Sequence, residues 1–264
     1  MPKYTCLTDL DLSWSAINDK TLCSLTTLVQ LQQLSVGYCK AVTSYGVSKL
    51  LAAVTCLAVL DARGCPGIHR SLAGTISNVK PLQIVHLNLS HGDNVSDVTL
   101  ANLYCQDLQH LVLASCKQLE NDAVSNLVAR APRLRLLDLQ LCNKLIAPRI
   151  SSPTLCTILL NDCKNMCVAS INYIGQHCPE LREVHLRDTQ TTDETLCLLA
   201  RNCVHLQVVN VSRCPAVSDA GIIELANCCS YLRDVDLSWN TSLTDRSLLV
   251  LAQCTVYLFK LCRY

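Results

Sequence analysis

The chain has 264 residues, of which 50% are apolar and 16% are charged, and these proportions exclude an intrinsically disordered protein. Twenty-two basic residues against twenty-one acidic ones give a net charge of +1, so the chain lacks the basic excess that general nucleic-acid binding needs. No stretch reaches the roughly 18 apolar residues of a membrane helix, and the first residues lack the apolar run of a secretory signal. We therefore expect a soluble cytoplasmic protein, with the nucleus as an alternative location.

One motif recurs along the whole chain and reads Leu-x-x-Leu-x-Leu-x-x-Cys, with Val, Ile or Ala sometimes in place of Leu. Successive copies start 24 to 26 residues apart, apart from one interval of 21 residues. An eleventh copy starts at Leu258 and is cut off. The ten full copies begin at Leu7, Leu31, Leu57, Leu82, Leu108, Leu134, Leu155, Leu181, Leu206 and Leu232.

Each copy predicts a short strand followed by a helix. Counting the first Leu as offset 0, offsets 0, 3 and 5 are apolar, and offsets 3 and 5 alternate as on a strand. A set of apolar residues at helical spacing follows. Two copies depart from the pattern: the copy at Leu57 has a poor helix from Arg70 to Ile76, and the 21-residue copy at Leu134 has Pro148 and Pro153 instead of a helix. A hydroxyl residue before an acid predicts helix starts at Ser96-Asp97, Thr192-Asp193, Ser218-Asp219 and Thr244-Asp245.

The nineteen cysteines follow the repeat rather than a disulfide pattern. Their number is odd and no secretory signal is visible, so free thiols are expected. A second group of cysteines precedes the next copy by three residues, namely Cys105, Cys178, Cys203 and Cys229. Offset 8 carries small residues that can form hydrogen bonds where the chain turns inward: Ser15, Cys39, Cys65, Ser90, Cys116, Cys142, Cys163, Thr189, Cys214 and Asn240.

The copy from Leu206 to Tyr231 resembles the cysteine-containing leucine-rich repeat family, as found in the repeat region of F-box proteins, and the likeness extends from Leu7 to Leu261. The resemblance implies an α/β leucine-rich repeat solenoid, a horseshoe with parallel strands on the concave face and helices on the convex face. We expect a single domain over residues 1–264, with about ten repeats and a truncated eleventh. Neither end looks capped, which suggests a fragment or an end shielded by a partner.

The same resemblance implies a function in protein recognition. Repeats of this family are best known as the substrate-recognition part of F-box proteins, which deliver targets to a cullin-RING (SCF) ubiquitin ligase for ubiquitin-dependent degradation. No F-box is visible, because only Met1 to Cys6 precede the first repeat. The expected partners are a protein substrate or regulatory protein on the concave face, and ligase subunits through a missing or separate F-box. A stand-alone regulatory repeat scaffold and an extracellular recognition protein remain as alternatives.

The sequence gives little indication of catalysis or of metal binding. It contains no phosphate-binding loop, no nucleophile elbow and no H-E-x-x-H motif, so we expect a non-catalytic protein without a cofactor or a metal. Cys163 and Cys167 with His177 and Cys178 superficially suggest zinc. The repeat already accounts for Cys163 and Cys178.

The informative surface consists of offsets 2, 4, 6 and 7, which are expected to point away from the core. An apolar strip in the middle repeats, flanked by mixed charge and two tryptophans, is typical of a protein-recognition surface. The candidate partner-binding residues are Ile84, Val112, Leu136, Asp138, Leu141, Leu159, His185, Arg187, Arg213, Asp236 and Trp239.

Overall fold

The computed structural model describes residues 6–68, 84–101, 103, 105–255 and 257–262. The chain divides into two compact units, Met1–Leu134 (unit 1) and Arg135–Tyr264 (unit 2). In both units short parallel strands alternate with helices, so the α/β leucine-rich repeat solenoid predicted from the sequence is confirmed.

The two units are built from the same short elements. In the described part of unit 1 the elements are β1 (Asp9–Asp11), α1 (Asp19–Ser24), a 3-10 turn (Leu25–Thr27), β2 (Gln33–Ser35), α2 (Ser44–Ala53), β3 (Val59–Asp61), β4 (His86–Asn88), α3 (Asp97–Ala101), β5 (His110–Val112) and α4 (Asn121–Arg130). In unit 2 they are β6 (Leu136–Asp138), β7 (Thr157–Leu159), α5 (Val168–His177), β8 (Glu183–His185), α6 (Asp193–Asn202), β9 (Val208–Asn210), α7 (Asp219–Cys228), β10 (Asp234–Asp236), α8 (Asp245–Cys254) and β11 (Lys260–Cys262).

The strands pair in register, and their central residues form the core. Each strand covers offsets 2 to 4 of its repeat, so offset 3 of one strand lies beside offset 3 of the next, as Val209 does beside Val235. In the repeat that begins at Leu206, the residues at offsets 0, 3, 5 and 8 are all at most 1% exposed. The inward offsets predicted from the sequence are therefore confirmed for this repeat.

The fourth repeat has a different register from the predicted one. Strand β4 places Leu87 at offset 3, so Ile84 lies at offset 0 and Leu89 at offset 5, both buried at no more than 7% exposure. Counted from the predicted start at Leu82, Ile84 is at offset 2 and Leu89 at offset 7, and both are expected to face outward. That prediction is wrong, because the repeat begins two residues later. Alternating apolar residues from 82 to 89 fit either register, and the predicted start at Leu82 lies outside the described residues.

Acidic residues at the helix starts connect neighbouring repeats. Helices α3, α6, α7 and α8 begin at Asp97, Asp193, Asp219 and Asp245, which confirms the four predicted starts. The carboxylate of Asp193 also accepts hydrogen bonds from the backbone N and the Oγ of Ser218, the residue that caps the next helix. Asp219 accepts the same pair of hydrogen bonds from Thr244. One acid therefore stabilises its own helix start and positions the cap of the following helix.

The shortened repeat at Leu134 has no helix between β6 and β7, as its prolines predict. The segment that replaces the helix is still hydrogen-bonded to the next repeat. Ser170 Oγ donates to the carbonyl oxygen of Pro148, and Cys167 N donates to the carbonyl oxygen of Ile146. The poor helix predicted from Arg70 to Ile76 lies outside the described residues.

The buried thiols act as hydrogen-bond donors between repeats. The Sγ atoms of Cys65, Cys163 and Cys214 lie 3.0, 3.0 and 3.1 Å from the offset 5 carbonyl oxygen of the preceding repeat. Asn240 makes the equivalent contact through its side-chain amide, at 2.8 Å. All nineteen cysteines are free thiols in the structure. Burial raises the pKa of the Cys163 thiol to about 11, so it stays protonated and able to donate at neutral pH.

No helix among the described residues has the length and apolar character needed to cross a membrane.

Candidate functional site

A left-handed residue follows the strand in each of the ten full repeats. These residues lie at offset 7, where the backbone φ is between +53° and +64°. Only one of them is a glycine, although glycine adopts this conformation at the lowest cost. The ten residues are Trp14, Tyr38, Gly64, His91, Ser115, Leu141, Asp162, Asp188, Arg213 and Trp239.

Two sets of hydrogen bonds hold these turns. Where offset 4 is Asp or Asn, its side chain accepts from the backbone N two residues later, as Asp11 does from Ser13 at 2.8 Å and Asn210 does from Ser212 at 3.0 Å. The backbone N of the offset 7 residue donates to the next repeat, for example from Arg213 to the Ser238 carbonyl oxygen at 2.9 Å. The backbone is therefore fixed independently of the side chain at offset 7.

In unit 2 the offset 7 residues form a mixed surface, which we call the unit 2 ridge: Leu141, Asp162, Asp188, Arg213 and Trp239. Leu141 is 44% exposed and Trp239 is 62% exposed. The Arg213 guanidinium lies 5.4 Å from the centre of the Trp239 ring, within cation–π range. Apolar, aromatic and charged groups are therefore presented side by side on a hydrogen-bonded backbone.

Lys164 adds a positive charge to the unit 2 ridge, and the sequence analysis did not single it out. Its Nζ lies 2.8 Å from the Asp188 carboxylate. The hydrogen bond from Lys164 lowers the pKa of Asp188, and the Arg213 charge lowers it further. Lys164 is at offset 9 of its repeat, beyond the outward offsets 2, 4, 6 and 7, and its side chain reaches Asp188 at offset 7 of the next repeat.

Beside the ridge, offsets 2, 4 and 6 of the unit 2 repeats supply further candidate residues. Arg187 is exposed, whereas Leu136, Leu159, His185 and Asp236 are half-buried. The structure therefore exposes Leu136 and Leu159 less than the sequence predicts. Parallel pairing places Leu159 beside His185 at offset 4, and His185 Nε2 lies 2.8 Å from a Glu183 carboxylate oxygen.

Asp138 does not have the exposed position that the sequence predicts. It is only 7% exposed, and its Oδ1 accepts from the backbone N of Gln140 at 3.0 Å. This hydrogen bond stabilises the turn that leads to Leu141. The expectation that the Asp138 side chain is exposed is therefore wrong, because this side chain is almost fully buried.

Unit 1 holds the remaining candidates. Val112 is half-buried at offset 4 of β5, and the misregistered Ile84 belongs to the core. Two histidines at offset 2 are adjacent, with His86 Nδ1 and His110 Nδ1 separated by 3.2 Å. Burial lowers the pKa of His86, which favours a neutral imidazole in this pair.

The residues that superficially suggested zinc do not form a cluster. The Sγ of Cys163 is directed to the Leu139 carbonyl oxygen at 3.0 Å, and that of Cys178 to the Ile150 carbonyl oxygen at 3.7 Å. His177 Nδ1 lies 2.9 Å from the Tyr173 carbonyl oxygen. Across the described ranges no group of three or more His, Cys, Asp or Glu side chains is arranged to hold a metal ion.

Comparison with known proteins matches the repeats to an existing family. The leucine-rich repeat family profile matches residues 4–20, 202–226 and 228–252. A chain from the crystal structure of the Rad7 and Elc1 complex of yeast is 16% identical, with a TM-score of 0.61 over 97% of this chain and 75% of that chain. Internalin C2 from Listeria monocytogenes is 19% identical, with a TM-score of 0.52 over 94% of this chain and 92% of that chain. At these identities the structural likeness shows the fold alone, and the three profile matches support the same leucine-rich repeat fold.

Proposed function

We propose that this chain is a non-catalytic protein-interaction solenoid that binds a protein partner on unit 2. The binding surface is the unit 2 ridge together with Leu136, Leu159, His185, Arg187 and Asp236. The single observation that carries the proposal is the combination of exposed Leu141, Arg213 and Trp239 on one backbone-fixed ridge. Aromatic and arginine residues are the usual anchors of protein interfaces.

The partner that we propose is a protein targeted for ubiquitin-dependent degradation, with the chain acting as the recognition part of a cullin-RING ligase. Two observations support this role. The repeats resemble those of F-box proteins, and the fold is similar to that of a chain crystallised in the Rad7 and Elc1 complex. An F-box, or a separate subunit that carries one, is required to join the solenoid to the ligase.

A pair of matched substitutions tests the binding surface. Leu141→Asp places a charge on the unit 2 ridge, in a residue type that tolerates a positive φ. Leu249→Asp makes the same change at an apolar residue of α8 that is 62% exposed. We expect Leu141→Asp, but not Leu249→Asp, to remove the cross-linked partner proteins found with the wild-type chain in cells. Equal capture by both variants would contradict a partner site on the ridge.

The ligase role needs a separate measurement. Cullin-RING subunits should co-purify with the chain expressed in its full-length natural context, and a protein captured through Leu141 should accumulate when the chain is depleted. If that protein is captured but its half-life does not change, the ligase role is wrong and a stand-alone scaffold is the better description.

A further inference from the structure

A column of aromatic rings runs along the offset 7 positions of unit 1. Trp14 and Tyr38 are stacked, with ring centres 4.0 Å apart and planes inclined by 18°. His91 continues the column, with its ring centre 6.1 Å from that of Tyr38. Gly64 is the offset 7 residue of the repeat between those of Tyr38 and His91. A Cβ atom at Gly64 would lie 2.4 Å from the Tyr38 ring. Glycine is therefore required here because the Tyr38 ring occupies the space of a side chain.

Trp14 lies at the first position of this column and is more exposed than Tyr38. It is 74% exposed although Tyr38 covers one of its faces. Its backbone φ of +63° and the hydrogen bond from its backbone N to the Gly37 carbonyl oxygen, at 2.8 Å, fix the position from which the indole extends. A flat aromatic surface held in this way loses little conformational freedom when a second planar group stacks on it.

The charged residues beside the column are mainly acidic. Asp9 and Asp11 are exposed on β1, and neither forms an ion pair among the described residues. Asp11 Oδ1 accepts from the backbone N of Ser13 at 2.8 Å, and hydrogen bonds from Ser13 lower the pKa of Asp11, so its carboxylate is charged at neutral pH. Among the described residues Arg63 is paired with Asp61 at 3.3 Å, and its charge also acts on Asp11. A partner that covers Trp14 therefore meets three carboxylates, those of Asp9, Asp11 and Asp61, against the single charge of Arg63.

Unit 2 shows which cation suits this position. There, the tryptophan at the same offset, Trp239, is matched by the guanidinium of Arg213 from the neighbouring repeat. Trp14 is followed at offset 7 by Tyr38 instead, so among the described residues no cation of the chain lies over its ring. A guanidinium is planar, stacks on indole and can form two parallel hydrogen bonds to a carboxylate.

We propose that the Trp14, Tyr38 and Asp11 surface of unit 1 binds an arginine side chain in a basic segment of a partner protein. The guanidinium stacks on Trp14 and pairs with the carboxylate of Asp11, and Asp9 adds favourable charge. This site lies in unit 1 and is independent of the partner surface proposed on unit 2. The stacked arrangement of the rings favours a planar cation over the quaternary ammonium group that an aromatic cage would enclose.

The chain offers a direct measurement, because it contains only two tryptophans. The two indole N–H signals in a ¹⁵N-labelled sample are to be followed by NMR during titration with the blocked peptide Gly-Arg-Gly-Arg-Gly. Peptides with citrulline, lysine or trimethyllysine in place of arginine are the comparison probes. We expect a saturable shift of the Trp14 signal, at least fivefold weaker binding of the lysine and trimethyllysine peptides, no saturable shift with the citrulline peptide, and little change in the Trp239 signal.

Two variants locate the site. Asp11→Asn removes the charge but keeps the oxygen that folds the turn, as Asn88 and Asn210 do at the same offset, and we expect affinity to fall about tenfold. Asp236→Asn is the matched change in unit 2 and should leave the Trp14 response unchanged. Thermal unfolding of each variant verifies that it is folded.

The proposal is overturned by any of three results. These are no saturable Trp14 shift with the arginine peptide, equal affinity of folded Asp11→Asn and wild-type chains, or trimethyllysine binding as tightly as arginine.

Discussion

The acid that connects α6 to α7 gives the most quantitative prediction. Asp193 accepts from the backbone N of Ser218 at 2.8 Å, from its Oγ at 2.6 Å and from the backbone N of Gly221 at 3.2 Å. A hydrogen bond to a charged group contributes roughly 1.5–3 kcal/mol to stability, and bonds that share one acceptor are not additive. We expect Asp193→Ala to lower the free energy of unfolding of unit 2 by about 3 kcal/mol.

Gly221 provides an internal check on this reasoning. A Cβ atom at Gly221 would lie 2.6 Å from Asp193 Oδ1, so Gly221→Ala must displace the carboxylate in the wild-type chain. In the Asp193→Ala background that oxygen is absent, and the higher helix propensity of alanine, worth about 1 kcal/mol, opposes the remaining crowding. The second substitution should therefore be less costly after the first, with a coupling free energy of about 1–2 kcal/mol.

The assay is urea unfolding of the four chains of this double-mutant cycle, followed by circular dichroism, with hydrogen exchange of α7 as the local measurement. Glu194→Ala is the control, because this exposed acid lies in the same helical turn and should contribute less than about 1 kcal/mol through the helix dipole. Additivity within about 0.5 kcal/mol, or a loss from Asp193→Ala no larger than that from Glu194→Ala, would refute the proposed inter-repeat contact.

Three further predictions concern the core and the pH dependence. Cys163→Val removes one of the two donors to the Leu139 carbonyl oxygen, which keeps the hydrogen bond from the backbone N of Cys142, and should cost about 1 kcal/mol in chemical unfolding. Cys163→Ser keeps a donor and should cost less. In the folded wild-type chain the raised pKa and the burial of this thiol should prevent alkylation by iodoacetamide. Burial alone would raise the pKa of Asp219, but hydrogen bonds from Thr244 and Ser247 outweigh it and lower the pKa. The resulting stabilisation is present above the ordinary carboxyl pKa and is lost as the pH falls through the lower folded value. Asp219→Asn should therefore make the melting temperature less dependent on pH below about pH 4. Leu137→Asp should unfold unit 2 because the side chain is fully buried, whereas Leu136→Asp should cost much less, and similar melting temperatures would show that the inward and outward assignment is wrong.

The sequence predicts the fold well because the core repeats at fixed offsets. Leu206, Val209 and Val211 are apolar because they are buried against the same positions of the neighbouring repeats. Since the pattern recurs ten times, a departure in one copy does not change the predicted fold. The fourth repeat fails because its apolar alternation from 82 to 89 satisfies two registers that differ by two residues. A register shift of two residues leaves each strand side chain on the same face of the sheet but moves the two ends of the strand. Ile84 and Leu89 lie at those ends, so their predicted positions were wrong.

The candidate site was harder to predict than the core, since its residues have two roles. Asp138 and Asp236 share offset 4, and each accepts from a backbone N two residues later, yet Asp138 is buried and Asp236 is half-exposed. Their difference depends on the neighbouring side chains, as with Gln140, whose amide lies 3.3 Å from Asp138 Oδ2. A strand-face acid is therefore not evidence of binding by itself, because the turn requires the same residue type.

The left-handed residues separate the demands of folding from those of recognition. A residue with a side chain costs about 1–2 kcal/mol more than glycine in this conformation, and only Gly64 among the ten avoids that cost. The turn itself is held by the hydrogen bonds at offsets 4 and 7 and by the donor at offset 8, so it does not require large exposed side chains such as Trp14, Leu141 and Trp239. These exposed side chains raise the conformational free energy of the turn, and contact with another molecule at these positions can offset that cost. The two units differ at these positions, with stacked rings beside acids in one and a charged, partly apolar ridge in the other, and this difference argues for two separate kinds of partner contact on one repeating backbone.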